Sequence, residues 1–328
     1  MFSISFSAGG IVIRDGKICL VRDKRLGLEN WFIPKGKIEK KEKPLETAVR
    51  EIREETGIED LKLVKKLGVI KRKSVSNPRQ MKFIHIFLFN TNQRKLKPEP
   101  KMEAGWFTPM EALEKLYTKQ EKRFVKKNMH LFIKGIIFDF SGVFTIDGNF
   151  ESFSKKYSKR KGLDPDELMN FMIESWRSVE LGKDDSWKFW ERLGSFIGCK
   201  PEEIREEMMK FYRPRWGMVR LVKSLKGRYL LGMISNHIKD WFEYNIKMMG
   251  LEEIFDEIVA SYKVGLMKPD KRIYQLTIKR MGLRPWECVF VDDLERNLKP
   301  AEEMGMKTLL FRGEFRLKRD FRRMGIKV

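Results

Sequence analysis

The chain has few cysteines, histidines and prolines, and it has no long hydrophobic run. Its 328 residues include three cysteines, three histidines and 12 prolines. Cys19, Cys199 and Cys288 stand far apart, which excludes a disulfide scaffold and a cysteine-based zinc site and suits a reducing cytosol. The longest apolar stretches, around Phe83–Phe89 and Gly135–Phe140, fall well short of the roughly 18 residues that a membrane span needs. The first residues lack the basic region, apolar core and small-residue cleavage site of a signal peptide, so a cytoplasmic chain with no membrane partner is expected. Acidic residues are scarce beside basic ones, 46 against 68, for a formal net charge of +22. What is plentiful is core-forming material: 42% hydrophobic and 12% aromatic residues exclude a disordered chain. The length suits two domains of about 100–200 residues each.

A surplus of this size suits nucleic acid, an anionic membrane surface or anionic small molecules, and composition does not choose among them. Residues 1–132 carry 30 basic and 16 acidic side chains, and residues 133–328 carry 38 and 30. The densest basic run is Lys62–Lys82, followed by the tail from Arg312 to Lys327. A heat-adapted surface, rich in charges of both signs, is the plain alternative.

The texture of the chain changes near residue 131. Before it, an Asp15-Gly16 turn between apolar runs predicts a hairpin of Gly10–Arg14 with Lys17–Arg22. A helix is expected from about Leu45 to Thr56, with Pro44 at its first position and Gly57 as its left-handed cap. Strands at Leu61–Arg72 and Met81–Asn90 follow, then helices from Met110 to about His130. After the change, Ile133–Asp139 reads as a buried parallel strand ending in a carboxylate. Residues 150–214 carry apolar positions at helical spacing, and strands return at Tyr229–Ile234 and Cys288–Val291. This alternation predicts a doubly wound α/β sheet. The expected domains are 1–131 and 132–328.

The first chemical constellation runs from Gly36 to Ile58. Glu51, Glu54 and Glu55 are three and four residues apart, so they share one helical face. Like charges at that spacing repel unless a cation sits among them, and hard oxygen ligands on a rigid helix suit Mg²⁺ or Mn²⁺. An Arg-Glu-x-x-Glu-Glu run taken alone is a solvated helix face. Here Gly36, Glu42, Arg50-Glu51, apolar Ile52, Glu54-Glu55, Gly57 and apolar Ile58 all fall on one template, G-x5-E-x7-R-E-U-x-E-E-x-G-U with U apolar.

That template resembles the Nudix box, and the resemblance extends over about residues 5–130. It takes in Gly9-Gly10, the Trp31–Gly36 approach and the closing Trp106–Ala112. The family implies an α/β/α sandwich that hydrolyses nucleoside diphosphates linked to another group, such as nucleotides or dinucleoside polyphosphates. Glu51, Glu54 and Glu55 would hold the metal, with Glu51 or Glu54 serving catalysis. Glu103, read as lying in the loop before Trp106, would be a further catalytic carboxylate or a plain surface residue. Lys35, Gly36 and Arg50 would meet the substrate, or Arg50 would orient a carboxylate. Lys82 would hold phosphate or only solubilise, and Trp31 is read as a buried strand-end residue.

The second constellation has four separated pieces. Asp139 ends a buried strand, and Phe140-Ser141-Gly142 follows it. Ser235-Asn236 ends another strand. Lys268 precedes Pro269-Asp270, and Asp292-Asp293 ends a third strand with Asn297 beyond. In a doubly wound sheet such strand ends share one crevice, where ligands bind. Together they offer a nucleophile, phosphate donors, a lysine for developing charge and acids for Mg²⁺.

These pieces resemble the haloacid dehalogenase superfamily in its phosphatase-like branch, over residues 133–328, with a helical cap at about 146–214. By that resemblance Asp139 attacks phosphorus, Ser235, Asn236 and Lys268 bind the phosphoryl group, and Asp139, Asp292 and Asp293 hold Mg²⁺. One departure stands out. Phosphatases of this kind carry a second Asp two residues after the nucleophile, as the acid for the leaving group, and here that position is Ser141. The expectation is a bifunctional hydrolase of anionic, phosphorylated small molecules with Mg²⁺, or Mn²⁺, in each domain. The alternatives are a Nudix enzyme with a catalytically silent second domain, or an RNA-binding, 5′-end-processing pyrophosphohydrolase.

Overall fold

The computed structural model describes residues 3–26, 30–75, 77, 79–146, 150–211 and 213–328. It divides into two compact units, Met1–Phe132 and Ile133–Val328.

The first unit contains β1 (Ser3–Arg14), β2 (Lys17–Asp23), β3 (Lys35–Lys37), α1 (Pro44–Thr56), β4 (Lys62–Lys73), β5 (Gln80–Asn90), β6 (Met102–Phe107), α2 (Pro109–Lys115) and α3 (Lys119–Lys127). Its mixed sheet runs β4-β5-β1-β2-β6, with β3 paired to β1. β1 and β5 are parallel along eleven residue pairs from Ser3↔Gln80 to Ile13↔Asn90, and the other pairings are antiparallel. The β1–β2 turn is the expected one: Asp15 and Gly16 both adopt positive φ, 48° and 70°, the twist that a two-residue hairpin needs.

Strand alternation sends the two faces of this sheet into separate cores. From β5, Phe87 and Phe89 pack with Ala48 and Ile52 of α1 on one face. Ile84, Ile86 and Leu88 pack with Ala112 and Val125 of α2 and α3 on the other. The result is an α/β/α sandwich. Trp31 is buried at the second face, edge-on to Phe107 with ring centroids 4.7 Å apart.

The second unit begins with β7 (Gly135–Phe138) and β8 (Thr145–Ile146), followed by α4 (Phe150–Lys161), α5 (Pro165–Glu180), α6 (Trp187–Ile197) and α7 (Pro201–Phe211). Next come β9 (Arg213–Pro214), α8 (Trp216–Leu225), β10 (Leu230–Ser235), α9 (Lys239–Met248), β11 (Glu257–Ala260) and α10 (Ser261–Val264). It ends with α11 (Lys271–Arg280), β12 (Cys288–Asp292), α12 (Glu295–Glu303), β13 (Lys307–Leu310) and α13 (Glu314–Arg323). The sheet order is β11-β10-β7-β12-β13, all parallel. β7 is central and fully buried, which is why its sequence is a continuous apolar run rather than an alternating one. Parallel pairing also brings the C-terminal ends of β7, β10 and β12 to one edge.

The helices α4–α7 form a cap whose aromatic core of Phe153, Trp176, Phe189 and Trp190 also takes in Trp241 of α9. A two-stranded ribbon of β8 with β9, Thr145 opposite Pro214, closes the cap at its base. Residues 147–149 and 212 of the expected cap, and 76 and 78 of the expected basic run, lie outside the described residues. No described helix is long and apolar enough to cross a membrane.

Candidate active sites

The box residues of the first unit come together around α1. Pro44 starts the helix, and Gly57 ends it at φ 71°, donating its N–H to Arg53 O. Arg50 is not directed at open solvent. Its Nε donates to Glu42 Oε1 at 2.9 Å, and its Nη1 donates to Glu51 Oε1 at 2.8 Å and Glu54 Oε2 at 3.1 Å. The Arg50 guanidinium and the Thr47 hydroxyl draw the Glu42 carboxyl down to about 2. Gly36 lies in the short strand β3 rather than in a loop, and a Cβ there would overlap the Glu51 carboxylate. The glycine makes room for a carboxylate of its own chain.

Glu55 accepts the Lys35 N–H at 2.8 Å, and burial pushes its carboxyl up to about 8. Burial also raises Glu51, against the pull of Arg50. Glu51 and Glu55 offer hard oxygens of the kind a divalent cation takes, but Glu51, Glu54 and Glu55 do not bring one oxygen each within 4.8 Å of one another.

Two placements differ from the sequence expectation, Glu103 and Lys35, while Arg50 meets carboxylates, as read. Glu103 sits in β6, not in a loop, directly opposite Arg22 of β2, whose Nη2 lies 2.7 Å from its Oε2. The Lys35 ammonium lies 3.3 Å from Oε1 of the fully buried Glu121 and donates to Ile33 O. Arg50 clasps three glutamates. Sequence spacing carries no information about such partners, because Glu121 and Glu103 come from elements some 80 residues away.

In the second unit the strand ends meet. Lys268 Nζ lies 2.6 Å from Asp139 Oδ1 and 2.8 Å from Asp292 Oδ2, with all three residues buried. Asn297 Nδ2 donates to both Asp292 oxygens, at 3.0 and 3.1 Å. Among the described residues, Asp139, Asp292 and Asp293 form the one acidic group whose ligand oxygens all fall within 4.8 Å of one another. Gly142, at φ 75°, permits this closeness, since a Cβ there would overlap the Asp293 carboxylate.

Burial and the neighbouring acids lift Asp139 and Asp293 above the usual carboxylate range, although Lys268 opposes the rise. Burial works against the charge of Lys268, but the two touching carboxylates outweigh it and hold the ammonium protonated. Three carboxylates around one ammonium leave the centre short of positive charge, and the donors are hard oxygens. This arrangement fits Mg²⁺.

The Ser235 hydroxyl at the end of β10 is fully buried and has no hydrogen-bond partner among the described residues, an expensive state unless a ligand meets it. Asn236 is already engaged: its Oδ1 accepts the Lys268 N–H at 2.8 Å, and its Nδ2 donates to Lys268 O at 2.9 Å. It orients the lysine segment rather than offering a free amide. Asp139, Ser141, Asn236, Lys268 and Asp293 line a cavity of about 950 Å³, large enough for a small phosphorylated metabolite.

The sequence reading missed Glu180, Arg177 and Arg296, which line this cavity from the cap and from α12. On a charged helix they look like solvated side chains. Burial pushes the Glu180 carboxyl up to about 7 from its ordinary 4.5. The folded state therefore binds the extra proton between those values, and stability falls as pH rises across that window. Replacing Glu180 with Gln is expected to flatten the slope of Tm against pH between about 4.5 and 7, as read by thermal melts of the full chain.

The comparisons with known proteins agree with this fold. Fold and site define a phosphohydrolase built from two α/β domains. Residues 5–127 match the NUDIX domain, and residues 136–311 match the haloacid dehalogenase-like hydrolases. The chain belongs to the haloacid dehalogenase-like hydrolases and carries a NUDIX domain ahead of that region. It is 30% identical over 210 residues to a glyceraldehyde 3-phosphate phosphatase of Methanothermobacter thermautotrophicus, covering 56% of this chain and 87% of that one. It is 26% identical over 203 residues to the protein of the same description from Methanocaldococcus jannaschii, with the same coverage. A crystal structure of a HAD family enzyme from Bacteroides thetaiotaomicron shares the fold at TM-score 0.51 and 20% identity, covering 58% of this chain and 98% of that one.

Proposed function

We propose that the second unit hydrolyses a phosphomonoester through Asp139, and that the first unit cleaves a nucleoside-diphosphate-linked substrate. The observation that carries the proposal is the Asp139–Lys268–Asp292 contact at 2.6 and 2.8 Å beside the unpartnered Ser235 hydroxyl. In this reading the Asp139 carboxylate attacks phosphorus, the ester P–O bond breaks, and the alcohol leaves. Water then attacks the acyl phosphate, releasing orthophosphate and restoring the carboxylate. Lys268 and Ser235 hold the phosphoryl oxygens, and Asn236 fixes Lys268. Asp139, Asp292 and Asp293 would hold Mg²⁺, which neutralises phosphate charge when bound. The relatives named as phosphatases of a small phosphorylated sugar support a small-molecule substrate.

In the first unit Glu51, Glu54 and Glu55 would hold the cation that activates water and screens the diphosphate. Arg50 and Gly36 set the position of Glu51, and Lys35 positions Glu55 through its N–H. Glu103 would contribute only on release from Arg22. A screen of nucleotides and sugar phosphates with Mg²⁺ and Mn²⁺ tests both assignments. Glu54→Gln is expected to cut diphosphate cleavage by on the order of 10²-fold or more while leaving phosphomonoester hydrolysis intact. Equal loss of both activities would refute separate sites.

A silent second domain is the competing reading, and Ser141 favours it. With a hydroxyl at that position, the leaving oxygen takes its proton from cavity water rather than from a carboxylic acid. A positioned acid is worth roughly 10²–10⁴-fold. Ser141→Asp is therefore expected to raise kcat for phosphomonoesters by on the order of 10²-fold. If the native protein and this variant both release no orthophosphate, and beryllium fluoride does not trap at Asp139, the domain is silent.

A further inference from the structure

The cavity at Asp139 carries four arginines beyond the Lys268 ammonium that faces the Asp139 and Asp292 carboxylates. Five basic side chains line it, Lys268 and four arginines, against the carboxylates of Asp139, Glu180 and Asp293. Lys268 is engaged by Asp139 and Asp292. Arg215 Nε donates to Thr145 O at 3.1 Å, and Arg312 Nη1 donates to Asp293 O at 3.3 Å. Neutral carbonyls orient those two guanidinium groups without cancelling their charge.

Arg177 on the cap helix α5 and Arg296 on α12 are exposed at the cavity mouth. Neither makes a hydrogen bond or ion pair with a described residue. Both act electrostatically on the buried Glu180. A cap residue and a core residue thus converge on the same part of the mouth. Their exposure sets them apart from the buried Lys268 and Asp292, so they meet the end of a substrate away from phosphorus.

From these positions we infer that Arg177 and Arg296, supported by Arg215 and Arg312, form a second anion subsite, and that the substrate is a phosphomonoester carrying a further anionic group, a carboxylate or a second phosphate. The inference rests on the phosphomonoesterase reading of Asp139 and names its substrate class. Guanidinium groups suit planar or tetrahedral oxyanions because they donate two N–H groups in parallel. Glu180 opposes the anion in this subsite, so removing its charge strengthens binding.

The test uses the full chain with Mg²⁺ at fixed ionic strength and matched ester pairs. These are 3-phosphoglycerate against glycerol 3-phosphate, and fructose 1,6-bisphosphate against fructose 6-phosphate. The expected kcat/KM favours the more highly charged member of at least one pair by about tenfold or more, chiefly through KM. In the Arg177→Gln/Arg296→Gln double variant the preference collapses to within about twofold, and lysines at both positions restore part of it. Glu180→Gln increases the preference. No preference in either pair for the native protein, or a double variant that slows both members equally, overturns the subsite.

Calorimetry on the Asp139→Asn protein makes the same comparison without turnover. If no ester is hydrolysed but this protein still prefers the more highly charged members, the phosphomonoesterase reading fails and the subsite stands. If esters are hydrolysed without preference, the reverse holds.

Discussion

Asp139→Asn is expected to abolish orthophosphate release from phosphomonoesters, by about 10³-fold or more, while diphosphate cleavage continues. The amide is nearly isosteric with the carboxylate and stays in the same buried place at the end of β7. It lacks the charge and the lone-pair reactivity that form an acyl phosphate. It also relieves repulsion among Asp139, Asp292 and Asp293, which lie within 4.8 Å of one another. The fold should therefore be kept or slightly stabilised, and lost activity would be a chemical effect. The check is single-turnover phosphate release beside a thermal melt of the same sample. Retained phosphate release would remove Asp139 from the mechanism.

Lys268→Met should have the largest effect on stability. The methionine fills a similar volume but leaves the two contacting carboxylates, Asp139 and Asp292, without their cation in a nearly solvent-free site. Breaking a buried ion pair from one side costs about 3–5 kcal/mol. Six of the eight tryptophans, Trp176, Trp187, Trp190, Trp216, Trp241 and Trp286, lie in the second unit, so tryptophan fluorescence during urea unfolding reports it selectively. The transition is expected to move to lower urea, and Mg²⁺ is expected to recover part of the loss by binding the freed carboxylates. A variant as stable as the native protein, with no Mg²⁺ effect, would show that the lysine does not balance this charge.

Much of the fold is legible in residue order. Asp15-Gly16 marks its hairpin because only such residues tolerate two consecutive positive φ angles. Pro44 and Gly57 bracket α1 because one lacks an N–H where none is needed and the other accepts the left-handed cap. β7 reads as a parallel strand because both its faces are covered. β6 does not read as a strand. Its six residues are all half-buried, so no alternation marks it, and Glu103 reads as a loop residue.

The candidate sites divide in the same way. The box glutamates and the strand-end aspartates are visible because helical periodicity and sheet direction alone place them. Which charge meets which is not visible. Lys35 faces Glu121 and Arg22 faces Glu103 through contacts that join distant parts of the chain, and Arg296 comes near enough to Glu180 to act on its charge.

From the +22 chain alone one could infer a phosphohydrolase of two domains, their order, and the acids and the lysine that are candidates for its sites. The fold had to decide how that charge is distributed. It places Lys268 between the buried carboxylates of Asp139 and Asp292 and draws Arg50 onto Glu42, Glu51 and Glu54. It also leaves Arg177 and Arg296 lining a cavity with no ion pair to a described residue. Residue type sets the sign of each charge, whereas its energy depends on separation in space and on burial, and both are properties of the folded chain.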